Sequence, residues 1–369
     1  MKIPLSNVNL TELEIGYAKD ALESGWISGT GDYITRFERA LAQKIGRKHV
    51  IAVTNGTVAL ELALLALGIA AGDEVIVPAL TFAAPAAAVR AVGAIPVFAD
   101  ITSESWTIDP TEIRRLVTSR TKAIIAVDVL GHPCNYDSLL TLGFPVIEDA
   151  AEAHGALYRG EPVGGFGILS TFSFYANKAI TTGEGGCTAT DDDALAATMR
   201  LIGNHGMTRD RPYWHPVVGH NFCMTNVTAA IGSGQVERWS NLVAARNQVA
   251  RRYDELLADL PLLHRPVACW ATEACWLYTV ATPERECVLA ALRRLGIDAR
   301  AIWMALPDLP PYLDGRRGDY RIARRIANSA FWLPTWADMP DEVIRYVADA
   351  LTSSQQITGC RKEHSITDS

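Results

Sequence analysis

Between residues 50 and 150, short runs of β-branched apolar residues alternate with longer runs rich in alanine and leucine. This alternation is typical of βα units that build a mostly parallel sheet. The candidate strands are apolar throughout, as expected of strands covered by helices on both faces. They are EVIVPAL (74–80), AIPVFAD (94–100), KAIIAVDVL (122–130) and FPVIEDA (144–150). The pattern therefore predicts an α/β fold.

The length of the chain predicts a second, smaller domain. A chain of 369 residues exceeds what one compact core usually holds. We expect residues 1–240 to form a large domain with an N-terminal arm and residues 241–352 to form a small α+β domain. In the small domain, RIARRIANSAF (321–331) is predicted to be a helix. Residues 353–369 are polar without periodicity, so we expect a tail that frays or is disordered.

Composition and charge exclude several classes of protein. Hydrophobic residues make up 49% of the chain and charged residues 20%, as in ordinary globular proteins. The net charge of −7 disfavours a nucleic-acid-binding protein. Seven cysteines occur without a CxxC pair, which favours a reducing cytoplasm. No apolar stretch resembles a signal core or a membrane span. We therefore expect a cytoplasmic protein with small-molecule ligands.

Three polar features lie where α/β sheets bind ligands, and each alone has an ordinary explanation. The TNGT run at 54–57 precedes a predicted helix and suits a phosphate group, although a simple helix cap has the same composition. Asp149 follows an apolar strand, where it could bind a ligand or cap the next helix. Lys178 is predicted to end an aromatic strand and to enter a glycine-rich turn, where it could be a nucleophile or a surface residue.

In combination, these features describe a pocket for pyridoxal 5′-phosphate (PLP). The helix start would bind the phosphate group of the cofactor. Asp149 would keep the pyridine nitrogen protonated, and Lys178 would bond covalently to the aldehyde. His205, His215 and His220 are spaced too irregularly for a metal site, so no metal is expected.

The chain contains five ordered motifs, namely WISGTGDYITRFERALA, TNGTVALELAL, VIEDAAEAHGALYRGEPVGGFG, FSFYANKAITTGEGG and YWHPVVGHNFCMTNVTAAIG. Together they resemble the DegT/StrS family of nucleotide-sugar aminotransferases. The resemblance extends from Gly25 to Asn241 and continues more weakly to Leu351. It implies the fold type I architecture of PLP-dependent enzymes, with a mostly parallel seven-stranded sheet and a small C-terminal domain.

The resemblance implies roles around the cofactor ring. Lys178 would hold the cofactor and then transfer protons as a general acid and base. Asp149 would pair with the pyridinium nitrogen. Phe82 would cover the face of the ring, and Glu152 would lie near the phenolic oxygen.

The resemblance also implies a phosphate site completed by a second subunit. Gly56, Thr57 and Ser173 would bind the phosphate from within one chain. Asn221 resembles the residue that reaches the phosphate from the partner subunit. We therefore expect a homodimer with shared active sites.

The motifs around Lys178 and in the YWHPVVGHN loop are similar to the branch that aminates carbon 4 of the sugar. Glutamate would donate the amino group, and GDP-4-keto-6-deoxymannose is the favoured acceptor, which would form GDP-perosamine for a surface polysaccharide or a natural-product glycoside. His132, Tyr175 and His215 are the candidate substrate contacts. Relatives commonly read VHLYGHP at 127–133, where this chain has VDVLGHP.

Other functions stay open. A dTDP- or UDP-linked keto sugar could be the acceptor, and a PLP-binding regulator without catalysis is an alternative. A sugar dehydratase of the same fold is disfavoured because such relatives carry histidine at the lysine position. Tryptophans of the C-terminal part are expected in the core or at a dimer interface, namely those at 270, 276, 303, 332 and 336.

Overall fold

A computed structural model describes residues 2–208 and 210–365, with side chains described up to residue 354. The helices are α1 (Glu12–Glu23), α2 (Asp32–Ile45), α3 (Gly56–Ala66), α4 (Ala84–Ala91), α5 (Pro110–Leu116), α6 (Tyr136–Leu140), α7 (Asp193–Ile202), α8 (Asn226–Glu237), α9 (Trp239–Leu257), α10 (Arg285–Arg294), α11 (Arg321–Ser329) and α12 (Asp341–Ser365). The strands are β1 (His49–Val53), β2 (Glu74–Pro78), β3 (Ile95–Ala99), β4 (Thr121–Val127), β5 (Val146–Asp149), β6 (Leu157–Tyr158), β7 (Glu161–Pro162), β8 (Leu169–Ser173), β9 (Gly186–Thr190), β10 (Ala271–Thr272), β11 (Thr279–Ala281), β12 (Arg300–Ala301) and β13 (Ala330–Trp332).

A seven-stranded sheet forms the centre of the large lobe, in the order β1-β9-β8-β5-β4-β2-β3. Neighbouring strands from β8 to β3 are parallel, and β9 alone runs antiparallel to its neighbours β8 and β1. The predicted mostly parallel sheet is therefore confirmed.

Both faces of this sheet are covered, which explains the continuous apolarity of its strands. Along β2, Val75 and Val77 belong to one apolar cluster, and Ile76 between them belongs to another. Successive side chains of a strand point to opposite faces, so each of these residues is buried against a different layer. All three are fully buried.

The C-terminal part forms a second, three-stranded antiparallel sheet in the order β11-β13-β12. Phe331 of β13 packs in one apolar cluster with Tyr253 of α9, Leu292 of α10 and Val347 of α12. The strand β13 corrects our prediction of a single helix over 321–331. The helix ends at Ser329 because the next three residues pair with β11 and β12, a contact between distant segments that local periodicity does not reveal.

The end of the chain also differs from its prediction. Helix α12 continues to Ser365, so most of the tail predicted at 353–369 has helical backbone, while residues 366–369 lie outside the described residues. Within the described ranges, no helix combines the length and apolarity needed to cross a membrane.

The topology brings several chain segments to one edge of the large sheet. Strands β1, β4, β5 and β8 point in the same direction, because β1 and β8 are each antiparallel to β9. Their carboxyl ends therefore meet at one edge, where Val127, Asp149 and Ser173 end their strands and α3 begins at Gly56. Open α/β sheets bind their ligands at this edge.

Candidate active site

A cavity of about 700 Å³ lies at this edge of the sheet. Side chains of the large lobe and of the C-terminal lobe line it together. Its lining includes eight of the residues predicted from the sequence, namely Gly56, Thr57, Phe82, Asp149, Glu152, Ser173, Tyr175 and Lys178.

Lys178 lies in the turn after β8, with its side chain only 10% exposed. Strand β8 ends at Ser173, so the lysine does not end an aromatic strand as predicted. The turn is fixed by a hydrogen bond from the Lys178 N–H to the Tyr175 carbonyl, 2.9 Å, and by Arg246, which donates to the Lys178 carbonyl, 3.0 Å. Burial lowers the pKa of the Lys178 amine, which favours the neutral, nucleophilic form.

A carboxylate and an aromatic ring contact the Lys178 amine. Its Nζ atom lies 3.8 Å from Oε1 of Glu152 and 3.9 Å from the ring centroid of Trp276. The carboxylate and the aromatic face each stabilise the ammonium form. The amine is therefore held in place by contacts that leave it able to gain and lose a proton.

Asp149 ends β5 with a buried carboxylate that has weak partners. Its Oδ1 atom accepts from the Ala151 N–H at 3.2 Å and from the Thr171 hydroxyl at 3.4 Å. Burial raises the pKa of Asp149 to about 6. The residues that directly follow Asp149 form a turn and not a helix, so the helix-cap alternative is not observed. Such a carboxylate is suited to bind a cationic group that enters the cavity.

Glu152 follows Asp149 in the same loop and also has a buried carboxylate. Its Oε2 atom accepts the Leu130 N–H at 2.8 Å, while Oε1 faces Lys178. Burial raises the pKa of Glu152 to about 7, and the charge of Lys178 opposes this shift. Glu152 can thus exist in either protonation state near neutral pH.

The start of α3 forms a concave wall of the cavity. The Asn55 side chain caps the helix by accepting the Val58 N–H at 2.9 Å. The first N–H groups of a helix have no partner within it, so those of Gly56 and Thr57 point beyond the helix start. A Cβ atom on Gly56 would lie only 2.7 Å from Cβ of Ser173, so only glycine permits this close approach. The dipole of α3, the free N–H groups at its start and the hydroxyls of Thr57 and Ser173 together form a suitable site for a phosphate group.

Three tryptophans of the C-terminal lobe also line the cavity. They pack in the apolar core as predicted, because Trp276 and Trp332 are buried in one apolar cluster and Trp303 packs against it. Trp276 and Trp303 stack with centroids 6.0 Å apart, and Trp332 meets both rings edge to face. The Trp276 indole donates to the Asn177 carbonyl at 3.1 Å. These residues lie far from Lys178 in sequence. Their occurrence together in the C-terminal part of the chain was the one sequence feature that indicated a shared location.

Three predicted residues do not line the cavity. His132 is fully buried, where its Nδ1 lies 2.8 Å from the Pro133 carbonyl and its Nε2 accepts the Ala268 N–H at 3.1 Å. Burial lowers the pKa of His132 to about 3, so the ring is neutral, and its two nitrogens bind the backbone groups of Pro133 and Ala268. His215 and Asn221 are exposed in the segment between α7 and α8.

Comparison with known proteins agrees with this geometry. The chain matches the DegT/DnrJ/EryC1/StrS aminotransferase family model over residues 8–352. The GDP-perosamine synthase of Caulobacter vibrioides is 42% identical over 361 residues, which cover 95% of this chain and 97% of the relative. The GDP-perosamine synthase of Escherichia coli O157:H7 is 36% identical over 356 residues, with 95% and 97% coverage.

A solved structure resembles the whole chain. Spr1654 of Streptococcus pneumoniae in its PMP form has a TM-score of 0.92 and 28% identity, with 98% of this chain and 100% of that chain covered. Its PLP form has a TM-score of 0.90 and 28% identity, with coverages of 96% and 99%. Since the family match includes nearly all of the chain, this protein belongs to the DegT/DnrJ/EryC1/StrS aminotransferase family.

Proposed function

We propose that this protein is a PLP-dependent aminotransferase that moves the amino group of glutamate to carbon 4 of GDP-4-keto-6-deoxymannose. One observation supports the chemistry most directly: a buried lysine amine 3.8 Å from a carboxylate, in one cavity with a second buried carboxylate and a helix start. The two relatives named GDP-perosamine synthase support the choice of sugar and nucleotide. We assign the reaction to the cytoplasm.

The residues of the cavity fit PLP in charge and shape. The start of α3 with Gly56, Thr57 and Ser173 would bind the phosphate, and Asp149 would pair with the ring nitrogen. Phe82, which is 54% exposed at the cavity, would cover the ring face. The buried Asn177 Oδ1 lacks a hydrogen-bond partner among the described residues, as expected where a ligand completes the site. When bound, PLP supplies an electron sink that stabilises negative charge on the reacting carbon.

Lys178 would transfer the protons of both half-reactions. Its amine, whose pKa is lowered by burial, would accept the proton that leaves the α-carbon of glutamate. In the second half-reaction the same Nζ would return a proton during amination of the sugar. The ion pair with Glu152 would keep the amine directed into the cavity after it is protonated.

We propose further that the active unit is a homodimer. Asn221 does not line the cavity of its own chain, but its exposed position leaves it available to another subunit. A second chain that brings its own Asn221 to the start of α3 would complete the phosphate site. His215, exposed in the same segment, would then approach the substrate from the partner subunit.

Product analysis tests the proposal. The PLP-loaded protein would be incubated with glutamate and, separately, with GDP-, dTDP- and UDP-linked 4-keto-6-deoxy sugars, and the products would be identified by mass spectrometry. We expect glutamate to bleach the visible band of the cofactor and an amino sugar to form fastest from the GDP-linked substrate. Faster conversion of a dTDP or UDP sugar would overturn the substrate assignment. A bound cofactor whose spectrum no amino donor changes would favour a regulator.

A further inference from the structure

The Glu152 carboxylate depends on an unusual backbone turn. Leu130, which donates its N–H to Glu152 at 2.8 Å, has a left-handed backbone with φ 56° and ψ 25°. Gly131 follows with φ 85°. A left-handed conformation is unfavourable for leucine, so it persists only where surrounding contacts hold it.

Arg265 provides the main contacts that hold this turn. Its Nη1 donates to the Val129 carbonyl at 2.7 Å and its Nη2 donates to the Leu130 carbonyl at 3.3 Å. Glu273 pairs with the same guanidinium group, whose side chain is 10% exposed. The planar guanidinium group thus binds two successive carbonyls at once.

The chain segment after Arg265 closes the turn from the other side. The Ala274 N–H donates to the Gly131 carbonyl at 3.2 Å. A Cβ atom on Gly131 would lie 1.8 Å from the Ala274 carbonyl oxygen, so the two segments touch backbone to backbone. The turn is therefore clamped between Arg265 and Ala274, both from the C-terminal lobe.

We propose that Arg265 is a positioning residue for Glu152. By binding the carbonyls of Val129 and Leu130, Arg265 keeps the Leu130 N–H directed at Glu152 and so fixes this carboxylate beside the Lys178 amine. The inference rests on the proposed role of Glu152 in the cofactor site. Arg265 itself does not line the cavity and contacts neither Lys178 nor Glu152 directly.

The charges around Glu152 give this arrangement a measurable signature. Burial raises the pKa of Glu152, Asp149 raises it further, and Lys178, the Leu130 N–H and the charge of Arg265 lower it. Loss of Arg265 removes one favourable charge and loosens the Leu130 hydrogen bond. Both effects raise the pKa of Glu152. As the pH falls, Glu152 would therefore be protonated, and lose its negative charge beside Lys178, at a higher pH than in the wild-type protein.

The experiment compares Arg265→Gln and Arg265→Lys with a matched control, Arg285→Gln. Arg285 also binds two backbone carbonyls, of Ala327 and Ala330, and pairs with a glutamate, but it does not line the cavity. The first readout is the pH dependence of the visible cofactor spectrum. We expect its midpoint to shift in Arg265→Gln, less so in Arg265→Lys, and not in Arg285→Gln.

A double-mutant cycle with Glu152→Gln tests whether Arg265 acts through Glu152. Loss of a partner that orients a metal ligand typically costs 10- to 100-fold in activity, and by analogy we expect Arg265→Gln to reduce kcat/KM about tenfold. In the Glu152→Gln background, the same change should cost less than about twofold. Thermal unfolding of the cofactor-free variants checks that each is folded.

Two results would overturn the inference. Independent, multiplicative losses in the double variant would show that Arg265 does not act through Glu152. Equal spectra and rates for Arg265→Gln and Arg285→Gln would show that the hydrogen bonds of Arg265 have no effect on the site. Failure of the proposed function is distinguishable, because the wild-type protein itself would then lack a visible cofactor band or would not respond to glutamate.

Discussion

At the scale of single residues, the cavity concentrates ionisable groups that burial has moved towards neutral pH. The pKa of Asp149 is raised to about 6 and that of Glu152 to about 7, while the pKa of Lys178 is lowered. Groups with perturbed pKa values in a cleft are typical of functional sites. Here the three perturbations share one main cause, desolvation, and the charge of Lys178 partly offsets the rise in the pKa of both carboxyl groups.

Replacement of Lys178 by alanine should abolish transamination. The change removes both the covalent attachment point and the proton-transfer group, so we expect kcat to fall by about 10³-fold or more. Lys122→Ala, at an exposed position of β4, is the control and should keep full activity. Steady-state product formation measures both, and near-normal turnover by Lys178→Ala would contradict the assigned role.

Asp149→Asn should remove one pH dependence of stability from the cofactor-free protein. A carboxyl whose pKa is higher in the folded state than its ordinary value of 3.8 stabilises the fold at low pH and loses this contribution as the pH rises through about 6. Since one pKa unit corresponds to about 1.4 kcal/mol, Asp149→Asn should gain up to roughly 3 kcal/mol on the wild type between pH 4 and 7.

Urea unfolding of cofactor-free protein across this pH range measures the gain. Asp259→Asn, at an exposed position, should show no pH-dependent difference. The same Asp149→Asn protein should lose at least about 100-fold in kcat, because an amide cannot stabilise a protonated ring nitrogen as a carboxylate does. Parallel stability curves for Asp149→Asn and wild type would refute the buried-charge account.

Individual residues were predictable where local sequence defines their place. Asp149 ends an apolar strand and Lys178 precedes a glycine-rich turn, and both features are visible in a short window of sequence. The link from Leu130 to Glu152 was not predictable, because it depends on a left-handed turn held by Arg265, more than 100 residues away. His132 was chosen by resemblance, but its ring is engaged with backbone.

At the scale of secondary-structure elements, the site depends on how closely α3 approaches β8. Gly56 begins the helix where Ser173 ends the strand, and their contact leaves no room for a methyl group. The helix start is thereby fixed against the strand that leads to the Lys178 turn. One contact between two elements sets the distance between the proposed phosphate site and the lysine.

Gly56→Ala should weaken cofactor binding. The added Cβ would lie 2.7 Å from Cβ of Ser173, so α3 must move away from β8 and its N–H groups with it. We expect affinity for PLP to fall by about 10- to 100-fold, or roughly 1.4 to 2.8 kcal/mol. Spectroscopic titration of cofactor-free protein with PLP measures this change.

The matched control is Gly16→Ala, within helix α1. A Cβ atom there meets nothing within 4 Å, and alanine favours a helix over glycine by roughly 0.5–1 kcal/mol. This variant should bind PLP normally and should unfold at an equal or higher temperature. Equal PLP affinity in the two variants would show that the start of α3 does not contribute to the phosphate site.

Elements of the large lobe were predictable because their periodicity is strong. The four strands expected between residues 74 and 150 are present with shorter bounds. Elements that need a distant partner were not predictable: β13 forms only because β11 and β12 flank it. The helical continuation of α12 beyond residue 353 likewise has no apolar period that would indicate it.

At the scale of the whole molecule, two lobes contribute to one cavity. The large lobe supplies Lys178, Asp149 and the start of α3, and the C-terminal lobe supplies the three tryptophans. The hydrogen bonds from Arg265 to the carbonyls of Val129 and Leu130 also join the two lobes. Neither lobe therefore forms the cavity by itself.

Mixed dimers test whether the site also needs a second chain. If Asn221 acts across the subunit interface, Lys178→Ala and Asn221→Asp proteins should each be inactive alone. A heterodimer of the two contains one site with both native residues and one site that lacks both. Random re-association should therefore restore up to about a quarter of wild-type activity.

Size-exclusion chromatography would verify that subunits exchange during mixing. A mixture of Lys178→Ala with the structurally similar control Lys178→Arg carries no complementary defect and should stay inactive. No recovery in an exchanged mixture of Lys178→Ala and Asn221→Asp would mean that each chain completes its own site.

The clustered indoles of Trp276, Trp303 and Trp332 make the fluorescence of the protein sensitive to what binds in the cavity. A cofactor bound at Lys178 would lie near these rings, because the Lys178 amine contacts the Trp276 ring, and it would quench their fluorescence by accepting their excitation energy. Three of the nine tryptophans in the chain line this cavity. Binding of the cofactor can thus be followed by the decrease in tryptophan fluorescence, without a label and without turnover.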